Sequence, residues 1–348
     1  MKIALVSSPF FTVPPKKYGG LEAMVYNLFC GLVAMGHKVV LFAPTGSADI
    51  PGGFVYETGE PLEHVQVDWL EAEKKMWEVY NPILREEKFD IICEHDWFGF
   101  CYLSKVKNSR LKICHAHHGH MSPAWWKQSP SPFKLNLIAI SNFMKDEYKS
   151  MLGYDSRVCY NGIDLSMYPY QETKGNRLLF VGRLDSFKRP HIAIEVAKKA
   201  GLGLDIVGSS FVQDPAYLES VKQACDGKKV KLYLDLPREE TAKFYQNAKA
   251  TIFPSKMGEP YGLIVPESCA CGTPVLGSKE GAIAETIQDG VNGFLCDPDN
   301  VDEFVQAVKK VDGIDPKDCR KRAEFFSKEN MAKAYVERFE EILRGDEW

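Results

Sequence analysis

The sequence lacks a long hydrophobic run, and it lacks the basic surplus that nucleic-acid-binding proteins usually carry. Its 348 residues include 43 Lys and Arg against 47 Asp and Glu, a formal net charge of −4. This balance excludes a general attraction to nucleic acid. No stretch approaches the roughly 18 apolar residues that a membrane-spanning helix needs. The apolar start at residues 3–6 is too short for a signal peptide, so we expect a cytoplasmic protein.

Paired cysteines and two common nucleotide-binding signatures are missing as well. The ten cysteines are scattered between Cys30 and Cys319 without a C-x-x-C pair, which favours reduced thiols over a disulfide framework. Neither G-x-G-x-x-G nor G-x-x-x-x-G-K-[ST] occurs. Their absence counts against a dinucleotide-dependent oxidoreductase and a P-loop NTPase.

The sequence does contain two successive series of strand-like and helix-like segments. Strands that alternate with helices predict parallel sheets, and 348 residues suffice for two domains. Residues 164–176 contain Pro169 and little periodicity, which indicates a linker. Three helical stretches follow residue 302. Strands are predicted at 2–7, 38–43, 90–93, 111–115 and 135–141, and then at 178–182, 204–208, 231–236, 251–254 and 274–277.

The loop after the strand at 178–182 contains Arg183 and Lys188. Ligands of open parallel sheets collect beyond the carboxyl ends of the strands. Arg183 with its planar fork and Lys188 as a mobile point charge could hold two phosphate groups. Two solvated surface cations are the alternative interpretation of the same pair.

A second loop, after the strand at 251–254, contains Glu259 and leads into a helix with Glu267. The helix is predicted to begin near Gly262, because Pro266 then falls in its first turn, and to end before Gly272. Free N–H groups at this helix start favour an anion. The two carboxylates suit sugar hydroxyls, which donate hydrogen bonds. Alternatively, Glu259 caps the helix and Glu267 is exposed.

Three further clusters carry weaker signals. Gly19 and Gly20 follow Tyr18 before a helix, where they permit close approach of a ligand or form a plain turn. Four histidines lie within 115–120, but alternate strand residues face opposite sides. Without an acidic partner at metal-ligand spacing, a zinc site is disfavoured. Asp297-Pro298-Asp299 is interpreted as a turn and not as a metal-binding D-x-D.

Together these segments resemble the retaining glycosyltransferases of family 4, whose GT-B fold has two Rossmann-like domains with parallel sheets facing each other across a cleft. The resemblance covers nearly the whole chain and rests on the E-x7-E spacing of Glu259 and Glu267 together with other matching segments. One position departs from it, because many relatives have a second glycine where Ala282 stands, which puts close backbone contact there in doubt. The other matching segments are Tyr18-Gly19-Gly20 with Glu22, Asn161-Gly162-Ile163-Asp164, 182–190, Gly208, 281–285 and 289–293.

The resemblance implies a role for each matched residue. Arg183 and Lys188 would hold the donor diphosphate, Glu259 the sugar hydroxyls and Glu267 the ribose. His118 would contact the far side of the sugar and join Glu259, Arg183 and Lys188 as a catalytic residue. The other implied donor-binding residues are Gly19, Gly20, Gly208, Leu234, Leu236, Tyr261, Gly262 and Leu263.

By the same resemblance, residues 1–164 would form the acceptor-side domain, with a terminal helix at about 329–348 packed back on it, and 165–328 the donor-binding domain. The expected activity is retaining transfer of a hexose from a nucleotide-diphosphate sugar, UDP- or GDP-linked, to a hydroxyl acceptor, without a metal or other cofactor. A nucleotide-sugar epimerase and a non-catalytic nucleotide-sugar-binding protein are the alternatives.

The acceptor partner is less defined than the donor partner. A carbohydrate, a lipid-linked or a small-molecule hydroxyl acceptor fits equally. Trp125 and Trp126, in the segment 121–133, could stack on a sugar, contact a membrane surface peripherally or anchor the loop. The sequence leaves the oligomeric state open.

Overall fold

The computed structural model describes residues 1–17, 19–63, 67–107, 110–121 and 136–348. The chain divides into two compact units. Unit 1 comprises Met1–Gly162 and Lys328–Trp348, and unit 2 comprises Ile163–Ser327. The expected linker at 164–176 is not an open connection, because Ile163 and Tyr168 are buried in a hydrophobic cluster of unit 2.

Unit 1 is a parallel α/β sheet of seven strands in the order β3-β2-β1-β4-β5-β6-β7. Helices follow β1, β3, β4 and β6, and the last helix comes from the end of the chain. The strands are β1 (Lys2–Val6), β2 (Lys38–Ala43), β3 (Gly53–Glu57), β4 (Ile91–Glu94), β5 (Ile113–His117), β6 (Leu137–Ala139) and β7 (Ser156–Val158). The described helices are α1 (Gly20–Ala34), α2 (Trp69–Glu86), α3 (Cys101–Lys107), α4 (Asn142–Leu152) and α12 (Lys328–Arg344).

The core of unit 1 includes one face of its C-terminal helix. β1 is central in the sheet and consists of Lys-Ile-Ala-Leu-Val, the continuous apolar run expected of a strand covered on both faces. Helix α12 places Met331, Tyr335 and Phe339 in the same hydrophobic cluster as β1. A side chain at Gly31 of α1 would meet Ala332 at 2.7 Å, so α1 and α12 lie in close contact.

Unit 2 has a parallel sheet of six strands in the order β10-β9-β8-β11-β12-β13. Several of its helices have strong local start signals, such as Pro190 at the first position of α5 and Asp214 as the N-cap of α6. The strands are β8 (Arg177–Arg183), β9 (Leu204–Ser209), β10 (Val230–Leu234), β11 (Ala248–Phe253), β12 (Val275–Ser278) and β13 (Gly293–Cys296). The helices are α5 (Pro190–Ala200), α6 (Pro215–Ala224), α7 (Arg238–Asn247), α8 (Ile264–Ala270), α9 (Ile283–Thr286), α10 (Val301–Val308) and α11 (Pro316–Phe325).

Each sheet has one point where the strand order reverses. In unit 1 the reversal lies between β1 and β4, and in unit 2 between β8 and β11. Loops that leave two such strands run in opposite directions and open a crevice at the carboxyl ends, where ligands of open α/β sheets bind. The loops that follow β1, β4, β8 and β11 are therefore the places where functional residues are expected.

The structure changes some of the expected elements. Strands β3 and β7 were not predicted. The helical spacing of apolar residues predicts a helix over 97–107, whereas α3 begins at Cys101. Helix α8 has seven residues and begins at Ile264, so it is shorter than expected. Among the described residues, no helix combines the length and the apolar composition that crossing a membrane requires.

Candidate functional site

The two predicted phosphate-binding cations lie on the loop after β8, and both are held in place. Arg183 ends β8, with its Nε 3.0 Å from Asp185 Oδ2 and its guanidinium 5.2 Å from the Phe187 ring centre. Lys188 forms an ion pair with Glu259 and lies 5.5 Å from the Phe253 ring centre. The side chains of Arg183 and Lys188 are 19% and 17% exposed. These are fixed, half-buried cations, so the interpretation as solvated surface charges was wrong.

Glu259 lies on the loop after β11, and its carboxylate faces the loop after β8. Its Oε2 accepts hydrogen bonds from Lys188 and from the Ser255 hydroxyl, the latter at 3.2 Å. It makes no cap hydrogen bond to α8, so the alternative role as a helix cap was wrong. The strand-order reversal of unit 2 thus brings together one carboxylate and one ammonium group from two loops 71 residues apart.

The backbone of Glu259 is fixed by the loop after β12. A side chain at Gly281, whose φ is +67°, would lie 2.4 Å from the Glu259 nitrogen. Next to it, the Ala282 N–H donates to the Glu259 carbonyl oxygen at 2.9 Å. Ala282 is buried with an ordinary φ of −72°. Gly281 therefore supplies the close approach, and the alanine at 282 does not obstruct it.

Glu267 is buried and not exposed, which contradicts the alternative interpretation of this residue. It lies on α8, where its Oε1 accepts from Arg238 and its Oε2 accepts from the Tyr245 hydroxyl at 3.0 Å. Arg238 also donates to the Tyr168 hydroxyl at 2.9 Å. Burial lowers the pKa of Arg238, but the hydrogen bond to Tyr168 and the charge of Glu267 outweigh burial, so the pKa lies above its ordinary value. The guanidinium stays charged and keeps a positive group against Glu267.

Sequence reasoning missed Arg238 and Tyr245. Both lie on α7, and their side chains meet Glu267 only through tertiary packing. Neither is part of a recognisable motif. The one available signal was an arginine directly after a proline at a helix start, which is too common to indicate a partner for a particular glutamate.

The other predicted donor-binding residues of unit 2 lie at the carboxyl edge of its sheet. Gly208 is in β9, where a side chain would meet Leu184 at 2.6 Å, so its visible role is packing. Leu234 ends β10, and Leu236 comes two residues later. Between them, Asp235 has a φ of +56° and accepts from the Ser210 N–H at 3.0 Å. This left-handed turn aims the backbone at 234–236 away from the strand direction.

The residues just before α8 form a tight turn. Tyr261 is buried, and its ring packs edge-on against Phe326 at 6.1 Å. Gly262 has a φ of +83°, and a side chain there would meet Phe253 at 2.8 Å. Leu263 is the residue that precedes the helix. The glycine is required at this turn by both conformation and space.

In unit 1, the glycine pair lies at the carboxyl edge between β1 and α1. Gly19 has a φ of +146°, and a side chain there would meet Pro15 at 2.7 Å, while Gly20 begins α1. Glu22 follows in the first turn and accepts from the Ser8 hydroxyl at 2.5 Å. Burial raises the pKa of Glu22 to about 7, and the bond from Ser8 offsets part of that shift. Tyr18 lies outside the described residues.

His118 lies just beyond β5 and contacts a histidine that the sequence analysis did not single out. His118 Nε2 is 3.1 Å from His95 Nδ1, and His95 follows β4. His115 and His117 are both in β5 and stack with ring centres 5.5 Å apart. Burial lowers the pKa of His118 to about 3, so its ring is neutral at pH 7.

One group of side chains in unit 1 has the composition of a metal site. Atoms of Glu94, Asp96 and His115 lie within 4.8 Å of one another, and all three residues are buried. The argument that the histidines lack acidic neighbours was therefore wrong, because β4 supplies Glu94 and the loop after it supplies Asp96. Each carboxylate already accepts a backbone N–H, Glu94 from Cys101 at 2.6 Å and Asp96 from Gly99 at 2.9 Å. The arrangement also fits an imidazole held between two carboxylates that fix the loop after β4.

Of two other predictions, the structure places one. Asp297 and Asp299 lie in a turn, as expected, where Asp297 pairs with Lys279 and Asp299 with Lys256 and Arg189. Trp125 and Trp126 fall within 122–135, outside the described residues.

The fold and these sites define a class of protein. Two Rossmann-like units with parallel sheets form a GT-B fold, and solved structures of that fold superpose on the whole chain. The glycosyltransferase AviGT4, involved in avilamycin A biosynthesis, is similar with a TM-score of 0.78 and 24% identity, covering 100% of this chain and 99% of that one. HepE of Anabaena, solved in complex with UDP-glucose, is similar with a TM-score of 0.75 and 18% identity over 98% and 99%.

Sequence comparison adds the family. The profile of "Glycosyl transferases group 1" matches residues 169–325, and that of "Glycosyltransferase Family 4" matches residues 18–167. An uncharacterised glycosyltransferase of Methanocaldococcus jannaschii is 28% identical over 89% of both chains. The glycogen synthase of Mycobacterium tuberculosis is 26% identical over 93% of this chain and 88% of its own. The chain belongs to the glycosyltransferases of family 4, as its sequence motifs indicated.

Proposed function

We propose that this glycosyltransferase moves a hexose from a UDP- or GDP-linked sugar to a hydroxyl acceptor with retention of configuration and without a metal ion. The observation that carries the proposal is the ion pair of Lys188 with Glu259 at the strand-order reversal of unit 2, with Arg183 and Lys188 both packed against the Phe187 ring. Two cations suit a diphosphate, and a carboxylate beside them suits the hydroxyl groups of the attached sugar.

The chemistry requires charge stabilisation at two places. The bond from the anomeric carbon to the phosphate oxygen breaks, so negative charge develops on the diphosphate and positive charge on the sugar ring. Arg183 and Lys188 are held before the reaction begins, and they supply positive charge at the leaving group. The acceptor oxygen forms the new bond on the same face of the sugar, and its proton passes to the departing phosphate oxygen.

The Lys188–Glu259 ion pair has a consequence for donor binding. Without donor, Glu259 already neutralises Lys188. A bound diphosphate would compete with Glu259 for the ammonium group, which has three donor hydrogens and can serve both. Glu259 would then hold a sugar hydroxyl and Lys188 together, and the sugar would be fixed relative to its leaving group.

Glu267 is assigned to the ribose of the donor. Its two oxygens accept from Arg238 and Tyr245, yet each carboxylate oxygen can accept a second hydrogen bond. A carboxylate accepts more strongly from a ribose hydroxyl than a neutral group does. Gly19, Gly20 and His118 belong to unit 1, and their contacts with the donor stay predictions.

Thermal unfolding with UDP, GDP, ADP and their glucose and mannose derivatives tests the donor. A ligand at 100 times its dissociation constant stabilises by about 2.7 kcal/mol. The Lys188→Ala variant should lose this shift, whereas Lys249→Ala should keep it. Lys249 is a matched control, since it is ion-paired with Asp312 and belongs to β11. Equal loss in both variants would contradict the assignment of Lys188.

Product analysis tests the reaction itself. The stabilising nucleotide sugar is incubated with a panel of sugar and alcohol acceptors, and the anomeric coupling constant of the product is read by proton NMR. Retention is expected. An inverted product would contradict the proposed stereochemistry, and a donor sugar that changes configuration without acceptor would indicate an epimerase.

A further inference from the structure

A fully buried imidazole lies directly behind His118. His95 follows β4 and is 0% exposed. Among the described residues, the polar contacts of its ring are two, His118 Nε2 at 3.1 Å from Nδ1 and Cys93 Sγ at 3.4 Å from Nε2. The Tyr335 ring of α12 packs beside it, with centres 5.9 Å apart. His95 is thus enclosed by apolar packing, and both of its nitrogens are engaged.

Both histidines of this pair are neutral. Burial lowers the pKa of His95 well below its ordinary value, as it does for His118. A neutral imidazole has one N–H donor and one acceptor nitrogen. The bond between the two rings therefore has a direction: one nitrogen donates, the other accepts, and the choice fixes the tautomers of both rings.

Cys93 determines that direction. Burial raises the pKa of its thiol well above the ordinary value, so the sulfur keeps its proton. An imidazole nitrogen is a good acceptor, whereas a thiol sulfur is only a weak one. The favoured arrangement has the Cys93 S–H donating to His95 Nε2. His95 Nδ1 then carries the ring proton and donates to His118 Nε2.

The other nitrogen of His118 is left as a donor. His118 Nδ1 makes no hydrogen bond to any residue within the described ranges. With Nε2 accepting from His95, the proton of the neutral His118 ring must lie on Nδ1. A sugar hydroxyl oxygen is the kind of group that such a donor recognises.

We propose that His95 is a positioning residue that holds the proton of His118 on Nδ1, so that His118 offers a fixed N–H donor to the substrate. His95 does not touch the reacting atoms and acts through His118. The tautomer stands on the contacts of Cys93, His95 and His118, whereas the sugar as recipient of the N–H rests on the proposed function.

Nitrogen NMR of histidine-labelled protein tests the tautomer without any need for activity. His118 is assigned by comparison with the His118→Gln variant. In the wild type at pH 7, we expect a protonated Nδ1 and an unprotonated, hydrogen-bonded Nε2 in His118. A protonated Nε2 in His118, or a mixture of the two tautomers, would overturn the proposal.

Two substitutions of His95 separate positioning from packing. His95→Phe keeps the ring and removes the hydrogen bond, and it should release His118 into a tautomer mixture. His95→Asn keeps a polar group near the Nδ1 position and should restore part of the single tautomer. Tyr335→Phe is the matched control, because Tyr335 packs on His95 and its hydroxyl has no hydrogen-bond partner in the part of the chain that the structure describes. A His118 spectrum that is unchanged in His95→Phe would overturn the proposal.

Turnover of the nucleotide sugar supplies the functional readout. His95→Phe should lower kcat about tenfold, the loss expected for one misplaced hydrogen bond, while KM for the donor stays nearly unchanged and His95→Asn recovers part of kcat. Equal kcat in wild type and His95→Phe, with the tautomer released, would overturn the functional part. If nucleotide sugar neither shifts the His118 resonances nor turns over in the wild type, the proposed function fails while the tautomer result stands.

Discussion

At the residue scale, the acidic side chains near the strand ends differ in what surrounds them, and their environments separate their roles. Glu259 faces a single ammonium group at the edge of a loop. Glu267 is enclosed by a guanidinium and a tyrosine hydroxyl. Glu22 has a serine hydroxyl and little else to offset burial. Substituting each carboxylate by its amide changes the charge and almost nothing in volume.

The first prediction compares Glu259→Gln with Glu267→Gln. The ribose does not change during the reaction. Glu267→Gln should therefore weaken binding of the nucleotide diphosphate and raise KM for the donor, while kcat stays nearly intact. Glu259→Gln should bind the nucleotide diphosphate at least as tightly as wild type, because Lys188 loses its competing partner, yet turn over slowly. A hydrogen bond to a charged group contributes about 1.5–3 kcal/mol. The affinity in Glu267→Gln and kcat in Glu259→Gln should therefore each fall on the order of 10- to 150-fold.

Calorimetric titration and steady-state kinetics measure both effects, with Glu240→Gln as the control. Glu240 lies on α7 and pairs with Lys243 at the surface. If Glu259→Gln no longer binds the nucleotide diphosphate and Glu267→Gln still does, the sugar and ribose roles of the two glutamates are the reverse of those proposed.

The second prediction concerns Glu22 and pH. Its pKa of about 7 in the folded protein exceeds the ordinary 4.5, so the folded state binds more protons than the unfolded state between these values. Stability contributed by Glu22 is therefore present below pH 4.5 and is lost as pH rises through 7, by about 3 kcal/mol. Glu22→Gln should be increasingly more stable than wild type from pH 5 to pH 8.

Urea unfolding at four pH values in this range measures the difference. Ser8→Ala removes the hydrogen bond that lowers the pKa of Glu22 in the folded protein. The stability of this variant should therefore keep falling up to a higher pH than that of wild type. Parallel pH profiles for wild type and Glu22→Gln would show that Glu22 does not titrate in this window.

The sequence predicted much of the candidate site but not the contacts within it. Arg183, Lys188, Glu259 and Glu267 were found because they follow apolar runs and match a spaced motif. Arg238, Tyr245 and His95 were missed, because their relation to those residues depends on side-chain packing between elements. The acidic neighbours of His115 were missed for the same reason, since they come from the adjacent strand and the loop that follows it.

At the scale of the elements, long periodic segments were predicted well and short edge strands were not. Helical spacing of apolar residues predicts helices over 21–35 and 142–152, and α1 and α4 lie within one residue of these bounds. β7 has three residues and β3 has five, and both lie at the edges of the sheet. A half-exposed strand of that length has too few apolar positions for its alternation to stand out. The glycine at position 31 of α1, in contrast, can be understood only from the packing of α1 against α12.

The third prediction is that Gly31→Ala destabilises unit 1. Alanine in a helix interior normally stabilises relative to glycine by up to about 1 kcal/mol. Here the added carbon would lie 2.7 Å from the Ala332 side chain and 3.0 Å from the Lys328 carbonyl oxygen. Overpacking of this kind destabilises by about 1–3 kcal/mol, so the net effect should be unfavourable.

Differential scanning calorimetry of Gly31→Ala measures the effect, and Gly313→Ala is the matched control. Gly313 has no heavy atom within 4 Å of the added carbon. A rise in the melting temperature of Gly31→Ala would show that α12 can move away from α1 without loss.

At the scale of the whole molecule, unit 1 is discontinuous in sequence and is built from two segments of the chain. Unit 2 is continuous from Ile163 to Ser327, whereas unit 1 requires the last segment, Lys328–Trp348. The pattern of three terminal helices predicted the helix itself. Only the family resemblance indicated where it packs, because the apolar face of a helix does not identify the element that it packs against.

The fourth prediction follows from this connectivity. A fragment of residues 163–327 should fold alone, whereas a fragment of residues 1–162 should not. The second fragment lacks Met331, Tyr335, Phe339 and Ile342, which pack into the core of unit 1. Each buried apolar side chain contributes about 1.5–3 kcal/mol, and the whole stability of a domain is about 5–15 kcal/mol.

Circular dichroism and proton NMR of the two fragments test this expectation. Addition of a peptide with the sequence of 328–348 to the fragment 1–162 should restore dispersed amide signals. A well-folded fragment 1–162 without the peptide would contradict the view that α12 completes the core.

The fifth prediction is that transfer does not require a divalent metal. Metal-dependent sugar transfer uses the ion to neutralise the departing diphosphate. In this chain Arg183 and Lys188 occupy that part of the proposed site, and both are held by neighbouring carboxylates before any ligand binds. The carboxylates of Asp297 and Asp299 are each paired with lysine or arginine, so an ion would have to displace cations already in place.

Donor turnover should be the same before and after dialysis against EDTA, and elemental analysis of the purified protein should find far less than one metal ion per chain. Loss of turnover with EDTA and its recovery with manganese would contradict this prediction, and the His115→Ala variant would then show whether the ion lies among Glu94, Asp96 and His115.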